Sequence, residues 1–92
     1  MNMSFENIMK EIEKICRDNN VEHLYLFGSY AKGNNRKGSD IDIVVKGVNN
    51  IIKLKEEIDN IKTLETIDVF DYENCKSPFL REDIEKYAKT IY

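Results

Sequence analysis

Residues 40–46 read Asp-Ile-Asp-Ile-Val-Val-Lys, and this alternation constrains the fold more than any other stretch. Successive side chains leave a β-strand on opposite faces, so Ile41, Ile43 and Val45 share one face while Asp40, Asp42 and Val44 share the other. The first face demands a core. The second carries two carboxylates on α-carbons roughly 6.5–7 Å apart, and Asp is depleted from strands. Adjacent acids in a partly buried site raise each other's pKa, so the pair is comfortable there only beside a cation.

The flanking sequence supplies the elements to pack against this strand. Phe5, Ile8, Met9, Ile12, Ile15 and Cys16 recur at helical spacing behind Ser4, a candidate N-cap. After Asp18-Asn19-Asn20, residues 21–27 form a short apolar strand that stops at Gly28 and is expected to be central in its sheet. Ile51, Leu54, Ile58 and Ile61 define a second amphipathic helix ending near Lys62, and Glu65 to Tyr72 reads as a third strand with Asp68 and Phe70 on one face. Ser77-Pro78 opens a last helix whose buried stripe is expected to be Leu80, Ile84, Tyr87, Ala88 and Ile91. The predicted order is α-β-β-α-β-α: an α/β (α+β) chain with a small mixed sheet flanked by helices.

At 92 residues the chain is expected to form a single domain, residues 1–92, with one modest core and no room for a separate substrate-binding domain. Any large substrate is then a partner molecule. The 14 basic and 17 acidic residues give a net charge of −3, which argues against stable nucleic-acid binding by counterion release. The longest apolar run, Leu24 to Phe27, is far below the roughly 20 residues of a membrane span. With no signal-like N-terminus, the expected location is cytoplasmic. Cys16 and Cys75 form neither a disulfide framework nor a metal knuckle and read as reduced thiols.

Residues 28–39 hold three of the four glycines and three basic side chains, Lys32, Arg36 and Lys37, with no acid. A glycine turn after a strand lets backbone N–H groups approach a phosphate, and the Ser29 hydroxyl can donate a further hydrogen bond. Gly28 and Gly33 have Walker A spacing, but Asn34-Asn35 stands where Lys and Ser/Thr are required. The basic trio reads equally well as a phosphate-binding lid or a solvated loop. Tyr30, directly after the turn, is a candidate wall of a nucleotide pocket, whereas lone His23 reads as structural. Asp40 and Asp42 suit Mg²⁺, a hard cation that shares a few carboxylates with substrate phosphates and can act as one of two ions. Asp68 can complete the set from the neighbouring strand, whereas Glu65 and Asp71 have the opposite strand parity. A phosphate cradle followed, ten residues on, by a carboxylate pair points to nucleotidyl transfer.

Gly28-Ser29-Tyr30-Ala31-Lys32-Gly33 followed by Ser39-Asp40-Ile41-Asp42-Ile43-Val44-Val45 resembles the signature of the minimal nucleotidyltransferases of the DNA polymerase β superfamily. The resemblance covers nearly the whole chain, including a third aspartate on a later strand and an ending, Leu80 to Tyr92, similar to the family's closing helix with its terminal tyrosine. It implies a polymerase β-like nucleotidyltransferase fold. It also implies that Gly28, Ser29 and Lys32 meet nucleotide phosphates, that Asp40, Asp42 and Asp68 ligate Mg²⁺, and that Asp68 is the base. Lys32 stands where many members have Arg, keeping the charge but losing bidentate phosphate binding.

Several small members of that family are antitoxins paired with a HEPN-type RNase toxin. The resemblance therefore implies transfer of AMP from ATP to a tyrosine of such a toxin, within a hetero-oligomer. Two other readings remain open: a noncatalytic antitoxin that covers its toxin's active site, and one half of a split enzyme that modifies a small molecule such as an aminoglycoside. Steric blocking needs no intact Asp40, Asp42 and Asp68, which favours the enzyme.

Overall fold

The computed structural model describes residues 3–36 and 38–92. Helix α1 (Phe5–Asp18) is capped as expected: the Ser4 Oγ accepts the Asn7 N–H at 3.2 Å. Ile8, Ile12 and Cys16, four residues apart, form its buried stripe. Asn20, at φ 59°, turns the chain into β1 (His23–Phe27). Strand β2 (Ile41–Lys46) pairs antiparallel with β1, and helix α3 (Ile51–Asp59) then crosses to β3 (Ile67–Asp71), which pairs parallel with β2. This crossover puts α3 beside α1, where the Asn19 side chain bridges the Ile15 carbonyl and Glu57 of α3.

The core lies between the sheet and these two helices. Ile8, Ile12 and Cys16 of α1 and Leu54 and Ile58 of α3 close over Leu24, Leu26, Ile41, Ile43 and Val45. Each fully buried aliphatic side chain contributes about 1.5–3 kcal/mol. The alternation of residues 41–45 is resolved as expected, with Ile41, Ile43 and Val45 turned into this core. Val44, on the other face, is also fully buried. Helix α4 (Pro78–Tyr87) packs toward that face, its Ile84 near Tyr25 and Lys46 of the sheet. Capped by the Ser77 Oγ, which accepts the Leu80 N–H at 3.3 Å, it lies over part of the second sheet face. Its Ile84, and Ala88 just past its end, line a cavity of about 240 Å³ with Tyr25 and Thr90.

Two expectations fail. Residues 28–39 were expected to be loop, but the first five, Gly28–Lys32, form a one-turn helix, α2, closed by Gly33 at φ +75°. Five residues are too few to display a helical period. The last helix was expected to run to Tyr92, but it stops at Tyr87, and Lys89–Thr90 form a short strand, β4, antiparallel to β1. The Ile91 N–H donates to the Leu24 carbonyl at 2.8 Å, and the Leu24 N–H donates to the Tyr92 carbonyl at 3.1 Å. Leu24 would otherwise lie on an open sheet edge, and pairing that edge outweighs extending the helix. The sheet order is therefore β3-β2-β1-β4, with β1 internal as expected. Of the expected stripe on α4 only Ile84 is fully buried, and Tyr87 is 53% exposed. No helix among the described residues is long and apolar enough to cross a membrane.

Candidate active site

At the end of the sheet opposite the β1–α1 connection, three strands bring their side chains to one rung. Phe27 pairs with Asp42 across β1 and β2, and Asp42 pairs with Asp68 across β2 and β3. Parity puts Asp42 and Asp68 on the face that α4 covers only in part. Asp40 precedes β2 by one residue and is exposed. Glu65 and Asp71 stay out of this group; the Asp71 carboxylate instead accepts from the Glu73 N–H and the Asn74 side chain, capping the short turn Tyr72–Asn74.

The carboxylates act on one another. Burial, followed by the charges of Asp68 and Asp40 and a hydrogen bond with Asp68, pushes the Asp42 carboxyl up to about 6. Near neutral pH this group favours a nearby positive charge. Its hard oxygen donors suit a divalent ion such as Mg²⁺. Among the described residues, however, no group of three or more His, Cys, Asp or Glu side chains is placed to hold a metal ion by itself. The carboxylates of Asp42 and Asp68 on one rung, with Asp40 exposed beside them, are donors of the type such an ion takes.

Gly28 stands against this pair. It adopts φ +71°, and a Cβ there would overlap Oδ2 of Asp42. Only glycine lets the chain turn from β1 into α2 so close to the carboxylate. Ser29 is therefore in the first turn of α2, where backbone N–H groups have no intrahelical partner. The Ser29 carbonyl accepts the Asn34 N–H at 3.1 Å, holding the end of α2. Phosphate-cradle candidates and acids thus meet at one corner.

The basic residues are arranged less simply. Lys32 is exposed, with Nζ 5.1 Å from the centre of the Tyr87 ring on α4. Arg36 is exposed in the following loop, its N–H donating to Ser39 Oγ at 2.8 Å; Lys37 lies outside the described residues. Tyr30, directly after the turn, has an aromatic partner. Its ring stacks on Phe5 at 4.5 Å with the planes 8° apart, pinning α2 to the start of α1. Tyr87, read from its spacing as a core residue, instead stands at the rim beside Lys32. The signal that could have revealed it is the β-prone Lys89-Thr90-Ile91 run, which ends the helix early.

The polymerase beta, nucleotidyltransferase family matches residues 10–92. The chain is similar to a Methanocaldococcus jannaschii protein bearing the provisional name protein adenylyltransferase, at 33% identity over 88 residues, which cover 88% of each chain. It also resembles a crystal structure of a toxin–antitoxin with AMP-PNP, at 28% identity and a TM-score of 0.72, over 97% of this chain and 73% of the other. A mutant MntA-HpeT toxin–antitoxin structure is similar at 29% identity and a TM-score of 0.73, over 98% and 73% of the two chains. With the glycine turn and the paired aspartates at one sheet end, the chain belongs to the polymerase beta nucleotidyltransferase family as a minimal nucleotidyltransferase.

Proposed function

We propose that this enzyme transfers AMP from ATP to a tyrosine hydroxyl of a HEPN-type toxin, acting in the cytoplasm as the antitoxin of a hetero-oligomeric pair. The observation that carries this reading is the shared rung of Asp42 and Asp68 directly against Gly28. Support for the acceptor class comes from a relative named for protein adenylyltransfer and from neighbours that are toxin–antitoxin structures.

In this reading the Ser29 hydroxyl and the backbone N–H groups at Gly28–Ser29 hold the triphosphate, with Lys32 adding positive charge. Asp68 accepts the proton of the tyrosine hydroxyl as its oxygen bonds to the α-phosphorus. The bond between the α-phosphorus and the bridging oxygen breaks, and pyrophosphate leaves with that electron pair. Asp40, Asp42 and Asp68 would hold Mg²⁺, which supplies neutralisation of the charge on the phosphates.

Incubating the protein with its partner toxin, Mg²⁺ and ATP labelled at either the α- or the γ-phosphate tests the reaction. Label is expected on the toxin from α-labelled ATP alone, and Asp40→Asn with Asp42→Asn is expected to abolish it. Neutralisation of the toxin without labelling would favour the blocking module, and labelling of an added aminoglycoside instead would favour the small-molecule enzyme.

A further inference from the structure

A nucleotide whose phosphates lie at Gly28–Ser29 still needs a surface for its base. The chain has five tyrosines, and four are engaged in the fold. Tyr30 stacks on Phe5. The Tyr72 hydroxyl donates to Glu85 at 2.6 Å, and Lys46 and Arg81 lie over its ring. The Tyr92 hydroxyl donates to the Val21 carbonyl at 2.9 Å, with Arg17 above its ring. Tyr25 lies against His23 and lines the cavity under α4.

Tyr87 is different. It is 53% exposed in the last turn of α4, on the sheet face that carries Asp42 and Asp68, and the group over its ring is the Lys32 ammonium. Lys32 ends the one-turn helix that begins at Gly28, about 6 Å along its axis. The Lys32 side chain therefore links the turn at Gly28–Ser29 to this ring. An ammonium over an exposed aromatic face is held weakly, and a triphosphate is a stronger partner for it.

We propose that Tyr87 is the stacking platform for the nucleobase, exposed when Lys32 leaves its ring for the phosphates. The proposal rests on the nucleotidyltransferase reading and adds what that reading lacks, a seat for the base. Every base offers a π-face, so the platform gives affinity for nucleoside triphosphates as a class without choosing among bases.

Binding of ATP, GTP and inorganic tripolyphosphate to wild type, Tyr87→Ala and Tyr87→Phe, each with Mg²⁺, tests this. Tyr87→Ala is expected to weaken ATP and GTP alike by about 10-fold or more and to leave tripolyphosphate unchanged or tighter, while Tyr87→Phe stays near wild type. ATP binding indifferent to Tyr87→Ala, or tripolyphosphate weakened as much as ATP, overturns the platform alone. Wild type that binds neither ATP nor tripolyphosphate overturns the nucleotidyltransferase reading with it.

Discussion

Asp42 and Asp68 are register partners on adjacent parallel strands, so their two negative charges oppose each other at one rung. The folded Asp42 carboxyl titrates near 6 against an ordinary value of 3.8, chiefly because burial and the Asp68 charge oppose its ionisation. The folded state thus binds this proton more tightly than the unfolded chain, so the group favours folding at low pH and its contribution is lost as pH rises from about 4 through 6. Asp42→Asn is expected to stabilise the metal-free protein at pH 7, by on the order of 1 kcal/mol after discounting for solvent around a half-buried group, and to change little at pH 4. Thermal unfolding of both proteins at the two pH values checks this; a variant less stable than wild type at pH 7 contradicts it.

Gly28 tests the closeness of turn and carboxylate. Gly28→Ala puts a side chain into a left-handed conformation, at about 1–2 kcal/mol, and against Asp42. A shift of the turn by about 1 Å can cost about 100-fold in rate. The variant is expected to fold, with a lower melting temperature, and to lose nucleotidyl transfer by about that factor. Near-normal transfer in a folded variant would show that the turn does not hold the substrate.

The C-terminal strand makes its own prediction. If Ile91 and Leu24 are paired as described, both amides are protected from hydrogen exchange, whereas a helix continued past Tyr87 would leave the Leu24 amide open. Tyr92→Phe removes the hydroxyl that donates to the Val21 carbonyl and is expected to cost about 1 kcal/mol, read from denaturant unfolding.

The two thiols should separate cleanly. Cys16 is fully buried, and burial with the nearby Glu13 charge pushes its pKa up to about 12, whereas Cys75 is half-buried in the turn before α4. The thiolate is the reacting species. A thiol reagent is expected to modify Cys75 in the native protein and Cys16 only after unfolding, as mass spectrometry of the labelled peptides would show.

What the sequence disclosed divides along a physical line. Local chemistry was legible: Ser4 and Ser77 cap the helices they precede, and Ile41, Ile43 and Val45 alternate into the core. Asp42 and Asp68 could be placed on one face from parity, although their meeting on one rung depends on the β2–β3 register, which no local pattern encodes. The misses are likewise matters of tertiary pairing. Ala88 to Tyr92 left the helix because β1 had an edge to fill, Tyr30 found a stacking partner in Phe5 of α1, and Tyr87 became a rim residue as a result of where α4 ends.

This corner of the sheet is proposed to move an AMP group onto a tyrosine of a partner toxin. Intact-mass and peptide mass spectrometry of the toxin after incubation with the protein, ATP and Mg²⁺ tests it most directly. A mass gain of one or more AMP units on tyrosine is expected, absent with Asp42→Asn or Asp68→Asn. A toxin neutralised with its mass unchanged, or modified equally by those variants, would contradict it.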